Sequence, residues 1–268
     1  RHIARHYDLS DEFYALWLDP QRVYSCAYFS VDGMTLAQAQ QAKLDHICRK
    51  LMLRPGERFL DMGAGWGGLM LWAAEHYGVD ATGITLSRNQ HAHVQRLIAA
   101  RGLQGRVRMQ LLDYRALQVD APFDKIASVG MFEHVGTRFH DAFFRKCHEL
   151  LSDDGVMLLH FIGNSDVPDF NNPWIERYIF PGGHIPSMSE FTPAIERSGL
   201  VVCDIEVLRL HYAQTLRLWR ERFMARRAEA AALYDERFCR MWEFYLSMSE
   251  AAFRYQDIAI FQVQLARR

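Results

Sequence analysis

The sequence has 268 residues, half of them hydrophobic, enough for the core of one large α/β domain or two small ones. Its 31 basic and 32 acidic residues leave a formal net charge of -1, which removes any global electrostatic case for binding nucleic acid. The five cysteines (Cys26, Cys48, Cys147, Cys203 and Cys239) show no C-x-x-C or zinc spacing, so no metal site is expected and a reducing cytoplasm suits the chain.

No signal peptide and no apolar run near about 18 residues is present, so no membrane span is expected. The first residue is Arg1 rather than Met, which leaves the sequence open to being a piece of a longer chain. Ser10 reads as the N-cap of a short helix striped by Phe13, Leu16 and Trp17, with Pro20 beyond its end. An irregular aromatic segment follows, Tyr24-Ser25-Cys26-Ala27-Tyr28-Phe29. Thr35 and Gln38 form a capping box for a helix reaching about Lys50, with Leu36, Gln40, Leu44, Ile47 and Leu51 on one face. Residues 1–55 thus read as a helical cap on a single domain covering 1–268.

A short apolar strand, 58–62, then runs into Gly63-Ala64-Gly65-Trp66-Gly67-Gly68 and a helix over 67–77. Glycines there tolerate positive φ and let a ligand approach the backbone at a helix N-terminus. Gly63, Gly65 and Gly68 also fit the dinucleotide pattern G-x-G-x-x-G. Asp61, however, precedes the first glycine, and no acid stands about 20 residues on, where a ribose partner belongs. Arg88 keeps a 2′-phosphate dinucleotide in play, but the pattern favours S-adenosylmethionine.

Strands and helices alternate from there: strand 80–84, a helix boxed by Ser87 and Gln90, strand 107–112, strand 124–130, a helix over 139–151 and strand 155–162. This alternation predicts a parallel sheet with helices on both faces and a ligand at the strands' carboxyl ends. The glycine turn, Thr85, Asp113 and Glu133 all fall at such ends. Residues 163–186, rich in Pro and Gly, read as a loop insertion. A helix over 188–198, strand 200–208, helices over 213–230 and 235–254, and strand 258–265 complete the pattern, the last two strands closing the sheet.

The candidate chemistry has plain readings too. Glu133 could serve only as a helix-start acid, His160 as a core histidine, Tyr7, Tyr24 and Tyr212 as packing aromatics, and Cys26 as a small buried hydrophobe. The stretch 209–227 sets Arg209, Arg217, Arg220, Arg222, Arg226 and Arg227 against Glu221 alone. Such a face is expected to attract anionic phospholipid at about 1 kcal/mol per charge.

Taken together, the segments resemble the cyclopropane-fatty-acid synthase family of S-adenosylmethionine-dependent methyltransferases, which includes the mycolic acid cyclopropane synthases. The resemblance rests on His6-Tyr7-Asp8-Leu9, Tyr24-Ser25-Cys26-Ala27-Tyr28-Phe29, Leu60 to Gly68, Thr85-Leu86-Ser87 with Gln90, Ser128 to Gly136, Leu159-His160 with Ile162-Gly163, Phe180-Pro181-Gly182-Gly183, and His211-Tyr212 with Thr215-Leu216. It implies a doubly wound, Rossmann-like α/β fold of class I with helical lid insertions. It also implies transfer of a methyl group to a cis double bond of a phospholipid acyl chain, followed by proton loss that closes a cyclopropane ring.

By match, the cofactor contacts are Tyr7, Tyr24, Ser25, Asp61, Gly63, Gly65, Thr85, Leu86, Gln90, Asp113 and Tyr114. The family's bicarbonate, which takes the proton, falls by match in a pocket of Cys26, Gly130, Glu133, His160, Ile162 and Tyr212. Imidazole, phenol and backbone N–H groups suit an oxyanion; Glu133 is expected to orient His160 or to receive a proton from bicarbonate. Tyr7, Tyr24 and Phe180 offer aromatic faces to positive charge.

The expected setting is cytoplasmic, at the inner face of the membrane, with a homo-oligomer left open. Three departures from the family pattern stand out: no extra N-terminal domain, Ser249 where many members carry cysteine, and Ala64 where cysteine is common. Addition of a branch methyl, methylation of a small molecule, and a silent lipid-binding or cofactor-binding protein are the rival readings.

Overall fold

The computed structural model describes residues 9–170 and 172–268; Tyr7, with His6 and Asp8, lies outside them. Helix α1 (Asp11–Trp17) starts at Ser10, whose hydroxyl accepts the Phe13 N–H at 3.2 Å. Helix α2 (Leu36–Lys50) carries the expected Thr35–Gln38 capping box. Then β1 (Arg58–Met62), α3 (Gly68–Tyr77), β2 (Asp80–Thr85), α4 (Arg88–Ala100), β3 (Val107–Leu111), β4 (Phe123–Val129), α5 (His140–Leu150) and β5 (Leu151–Asn164) alternate as the sequence predicts. Beyond β5 lie α6 (Pro173–Tyr178), α7 (Met188–Ser198), β6 (Leu200–Val207), α8 (Arg209–Ala225), α9 (Arg227–Leu233), α10 (Glu236–Tyr255) and β7 (Ile258–Arg267).

The seven strands form one sheet in the order β3-β2-β1-β4-β5-β7-β6. Strand order reverses between β1 and β4, which places a ligand crevice above their carboxyl ends. The parallel sheet expected from the alternation is present in β1 to β5, and the closing pair makes the whole sheet mixed, because β7 runs antiparallel to both β5 and β6. Alternation of helices and strands implies crossover units but does not fix the direction of a strand delivered by three helices, as β7 is.

Three boundaries also differ. The insertion over 163–186 contains α6, started by Pro173 and by Asn172, whose Oδ1 accepts the Trp174 and Ile175 N–H groups. The helix expected over 213–230 is two: α8 begins at Arg209, and the chain leaves helical geometry at Arg226, with φ -119°. Strand β5 begins at Leu151, because Leu151 already pairs with Phe123 of β4, and Ser152-Asp153-Asp154-Gly155 falls in a register shift before Val156 pairs with Lys125.

The cap over the sheet is one packed layer. Trp17 of α1 lies 5.5 Å from both Trp219 of α8 and Trp242 of α10, and all three rings are buried. At 150–250 Å² per aromatic and about 25 cal/mol per Å², each contributes roughly 4–6 kcal/mol as an upper estimate.

Candidate active site

Two cavities meet above the β1/β4 reversal. The first, about 170 Å³, is lined by Asp61, Gly63 and Gly65 from the glycine turn, Thr85, Leu86 and Gln90 from the β2 end, and Asp113 and Tyr114 after β3. The second, about 320 Å³, is lined by Cys26, Glu133, His160, Ile162 and Tyr212 together with apolar groups such as Ile175, Phe180 and Leu216. Tyr24, Ser25, Gly130 and His134 line both. Every sequence-predicted site residue except Tyr7, which lies outside the described residues, therefore falls on one or both cavities.

The first cavity is built for close approach. Gly63 and Gly65 have φ of +83° and +55°, a region costly for residues with a Cβ. A Cβ at Gly65 would meet nothing within 4 Å, in keeping with a backbone that faces the open cavity. Asp61 is buried at the end of β1, and its Oδ2 has no hydrogen-bond partner among the described residues. Burial raises its carboxyl to about 7 against the pull of Lys43. Such an orphaned acceptor suits the ammonium and ribose hydroxyls of S-adenosylmethionine.

Thr85 Oγ1 donates to Gln90 Oε1 at 2.8 Å. Asp113 lines the cavity, but Arg115 Nε and Nη2 hold its two oxygens at 2.9 and 2.5 Å, so only its spare lone pairs are left for a ligand.

In the second cavity, Glu133 is half-buried as a residue but its carboxyl is enclosed, and Oε1 accepts the Ile162 N–H at 2.7 Å. Oε2 has no partner among the described residues, and burial raises the carboxyl to about 7. The expected Glu133–His160 pair is absent: His160 Nδ1 meets Gln262 Nε2 at 3.1 Å instead, because β5 turns His160 towards β7 while Ile162 reaches Glu133.

Two backbone donors expected for an oxyanion are already used, Ile162 N–H by Glu133 and Gly130 N–H by the His160 carbonyl at 2.8 Å. Other polar groups that line the cavity are His160 Nε2, unpartnered among the described residues, the Tyr212 phenol and the Glu133 carboxyl. This set fits a small oxyanion such as bicarbonate. Burial pushes the Cys26 thiol well above the usual range, which disfavours its thiolate. Ser249 also lines this cavity, and among the described residues no histidine bonds to it.

Aromatic groups surround the junction. The Tyr24 ring lies 5.3 Å from those of Trp17 and Trp219, and its hydroxyl is 3.1 Å from that of Tyr245. Sequence reasoning missed Lys43 and Gln262. Lys43 Nζ donates to Ser25 Oγ at 2.7 Å from within the core, where burial lowers its pKa to about 8. Its signal was a lysine in step with the Leu36-Gln40-Leu44-Ile47 face.

The arginine-rich stretch is not a free cationic face. Arg209 Nε and Arg222 Nε and Nη2 donate to carbonyls of Phe253, Trp17 and Leu18. Arg217, Arg220, Arg226 and Arg227 pair with Glu221, Glu250, Glu229 and Glu236. The stretch is thus not one-signed in space: Glu221 within it and Glu229, Glu236 and Glu250 beyond it answer four of its arginines, and Arg209 and Arg222 tie α8 to α10 and α1.

A family model described as mycolic acid cyclopropane synthetase matches residues 1–263. The chain is 43% identical over 262 residues to the cyclopropane-fatty-acyl-phospholipid synthase of Escherichia coli, covering 98% of this chain and 66% of that protein. It is 40% identical over 277 residues to cyclopropane mycolic acid synthase 1 of Mycobacterium tuberculosis, covering 98% and 96%. The solved structure of mycolic acid cyclopropane synthase CmaA1 complexed with SAH and CTAB superposes with a TM-score of 0.92 at 40% identity, covering 98% of this chain and 96% of that one. The chain thus spans about two thirds of the Escherichia coli relative and nearly all of the mycobacterial ones. With paired cavities at the strand ends and a match along almost its whole length, the chain belongs to the mycolic acid cyclopropane synthetase family, with the class I fold of S-adenosylmethionine-dependent methyltransferases.

Proposed function

We propose that this protein is an S-adenosylmethionine-dependent C-methyltransferase that turns the cis double bond of an unsaturated phospholipid acyl chain into a cyclopropane. The observation that carries the reading is the pair of buried atoms without a partner among the described residues, Glu133 Oε2 and His160 Nε2, in the larger cavity. A nitrogen or oxygen methyl transfer has no proton to remove from the methyl group after it has been transferred.

S-adenosylmethionine supplies an electrophilic methyl group from the first cavity. Addition of that group to an alkene leaves positive charge on carbon, and ring closure requires loss of a proton from the added methyl. Tyr24 and Phe180 turn aromatic surface to that charge, at about 0.5–2 kcal/mol per contact. Bicarbonate, held by His160 and Tyr212, would supply the base. Glu133, at about 7, exists in both forms near neutrality and is the protein's own proton acceptor in the cavity.

The substrate is reached at a membrane surface, with the protein peripherally attached on the cytoplasmic side. Among the described residues no helix is long and apolar enough to cross a membrane. Residues 165–170 lead towards α6, whose Ile175 and Glu176 line the acyl cavity, and this loop exposes Val167 at 70% and Phe170 at 96%. These side chains, rather than the arginines, are suited to enter the lipid interface.

Mass spectrometry of host lipids with and without the expressed protein tests the reaction. Gain of one CH₂ with loss of one unsaturation is expected. Gain of CH₂ with the unsaturation kept would establish methyl branching instead, and unchanged lipids would overturn the assignment.

A further inference from the structure

His160 on β5 and Gln262 on β7 face each other across the antiparallel ladder, with exposures of 1% and 0%. The Gln262 amide nitrogen lies 3.1 Å from His160 Nδ1. With the Gln262 amide nitrogen placed on Nδ1, Nδ1 accepts and the ring proton sits on Nε2, while Gln262 Oε1 is left without a partner among the described residues. Nε2 is the ring atom without a partner among the described residues, on a side chain that lines the acyl cavity. Burial first, then Lys43, Lys50 and His46, hold the imidazole well below its ordinary pKa, so the ring is neutral. A neutral imidazole has one donor and one acceptor. Its tautomer therefore decides whether the cavity meets a proton or a lone pair.

We propose that Gln262 is a positioning residue that locks His160 in the Nε2–H tautomer, so that the imidazole offers the cavity an anion-holding donor and not a base. The inference deepens the function proposed above and rests on it for the identity of the anion, bicarbonate. Glu206, the other cross-strand neighbour of Gln262, is held by His46 Nε2 at 2.7 Å and Lys50 Nζ at 3.0 Å. That engagement ties the nearby carboxylate to His46 and Lys50. With the tautomer reversed, a nitrogen lone pair would face the oxyanion and repel it. Proton acceptance then falls to the anion and to Glu133.

Ring ¹⁵N spectra of the full chain, with His160 identified by the signals lost in His160→Asn, read the tautomer directly. Wild type is expected to show protonated Nε2 and bare Nδ1. Gln262→Glu, which puts an acceptor-only group against Nδ1, is expected to reverse them. It should also raise the KM for bicarbonate about tenfold or more, the scale of a lost hydrogen bond to a charged group, while S-adenosylmethionine affinity is unchanged. A wild-type ring protonated at Nδ1, or ring shifts that ignore Gln262→Glu, would overturn the assignment. The wild-type spectrum needs no variant, so a misfolded substitution does not remove the test. If the tautomer responds as expected while turnover ignores bicarbonate, the role of Gln262 stands and the identity of the base falls.

Discussion

Ile162 gives its backbone N–H to Glu133 Oε1 at 2.7 Å, so a sheet strand rather than another side chain aims the buried carboxyl. The bond leaves Oε2 turned to a mostly apolar space, and desolvation outweighs it in raising the carboxyl from 4.5 to about 7. In the unfolded chain Glu133 would lose its proton near 4.5, whereas the native protein keeps it to about 7. Between these values the native state binds more protons, so this group's contribution to stability falls as pH rises. The loss is roughly 3 kcal/mol once both states are ionised. Glu133→Gln is expected to melt several degrees above wild type at pH 8 and close to it at pH 4.5, while turnover falls. Calorimetry at the two pH values checks the sign; a stabilisation confined to acid would refute the assignment.

His160→Ala and Tyr212→Phe remove groups from the second cavity and leave the first intact. Both variants are expected to bind S-adenosylmethionine as wild type does and to lose turnover by about 10²-fold or more. Equilibrium binding beside single-turnover rates separates the two effects. Rigorous removal of bicarbonate should lower wild-type activity, and its return should restore it. Full activity without bicarbonate, in company with active variants, would favour a heteroatom methyl transfer.

Gly65→Val places a β-branched residue at a φ of +55° and projects it into the cofactor cavity. Loss of S-adenosylmethionine affinity of at least about tenfold, or 1.4 kcal/mol, is expected in a folded protein. Gly102→Ala, at a φ of +66° in the turn after α4, shares the backbone strain but lies off the cavity, and should bind normally. Equal losses in both would mean that strain, not occlusion, explains the first.

Membrane attachment should follow apolar exposure rather than charge. Val167→Ser with Phe170→Ser is expected to reduce vesicle co-sedimentation severalfold. Raising salt from about 50 to about 500 mM, which shortens the screening length, should change wild-type binding little. Steep salt dependence with no effect of the two serines would return the role to exposed charge.

Much of this arrangement is legible in the sequence because local chemistry declares it. Ser10, Thr35 and Ser87 cap the helices that they appear to cap, and the glycine turn sits where β1 meets α3. Gln262 is not legible. In Phe261-Gln262-Val263-Gln264 the alternation reads as a solvent-facing polar row, yet helices cover both faces and Gln262 is fully buried. The break at Arg226 has no Gly or Pro to announce it, and the arginine partners Trp17, Glu250 and Glu236 are distant in sequence. Motif matching placed His160 in the pocket, but which group holds its ring depends on cross-strand register, a long-range property.

The late position of β7 orders events on the ribosome. Strand β6 has no place in the sheet until β7 stands between it and β5. A nascent chain that has not yet released residues 258–267 carries β5 as an open edge, ready to pair with a neighbouring chain. The glycine turn, the β2 end and Asp113 all emerge far earlier, so the methyl-donor crevice can assemble while synthesis continues. The acyl chamber, whose histidine takes its bearing from Gln262, becomes competent only with the last strand.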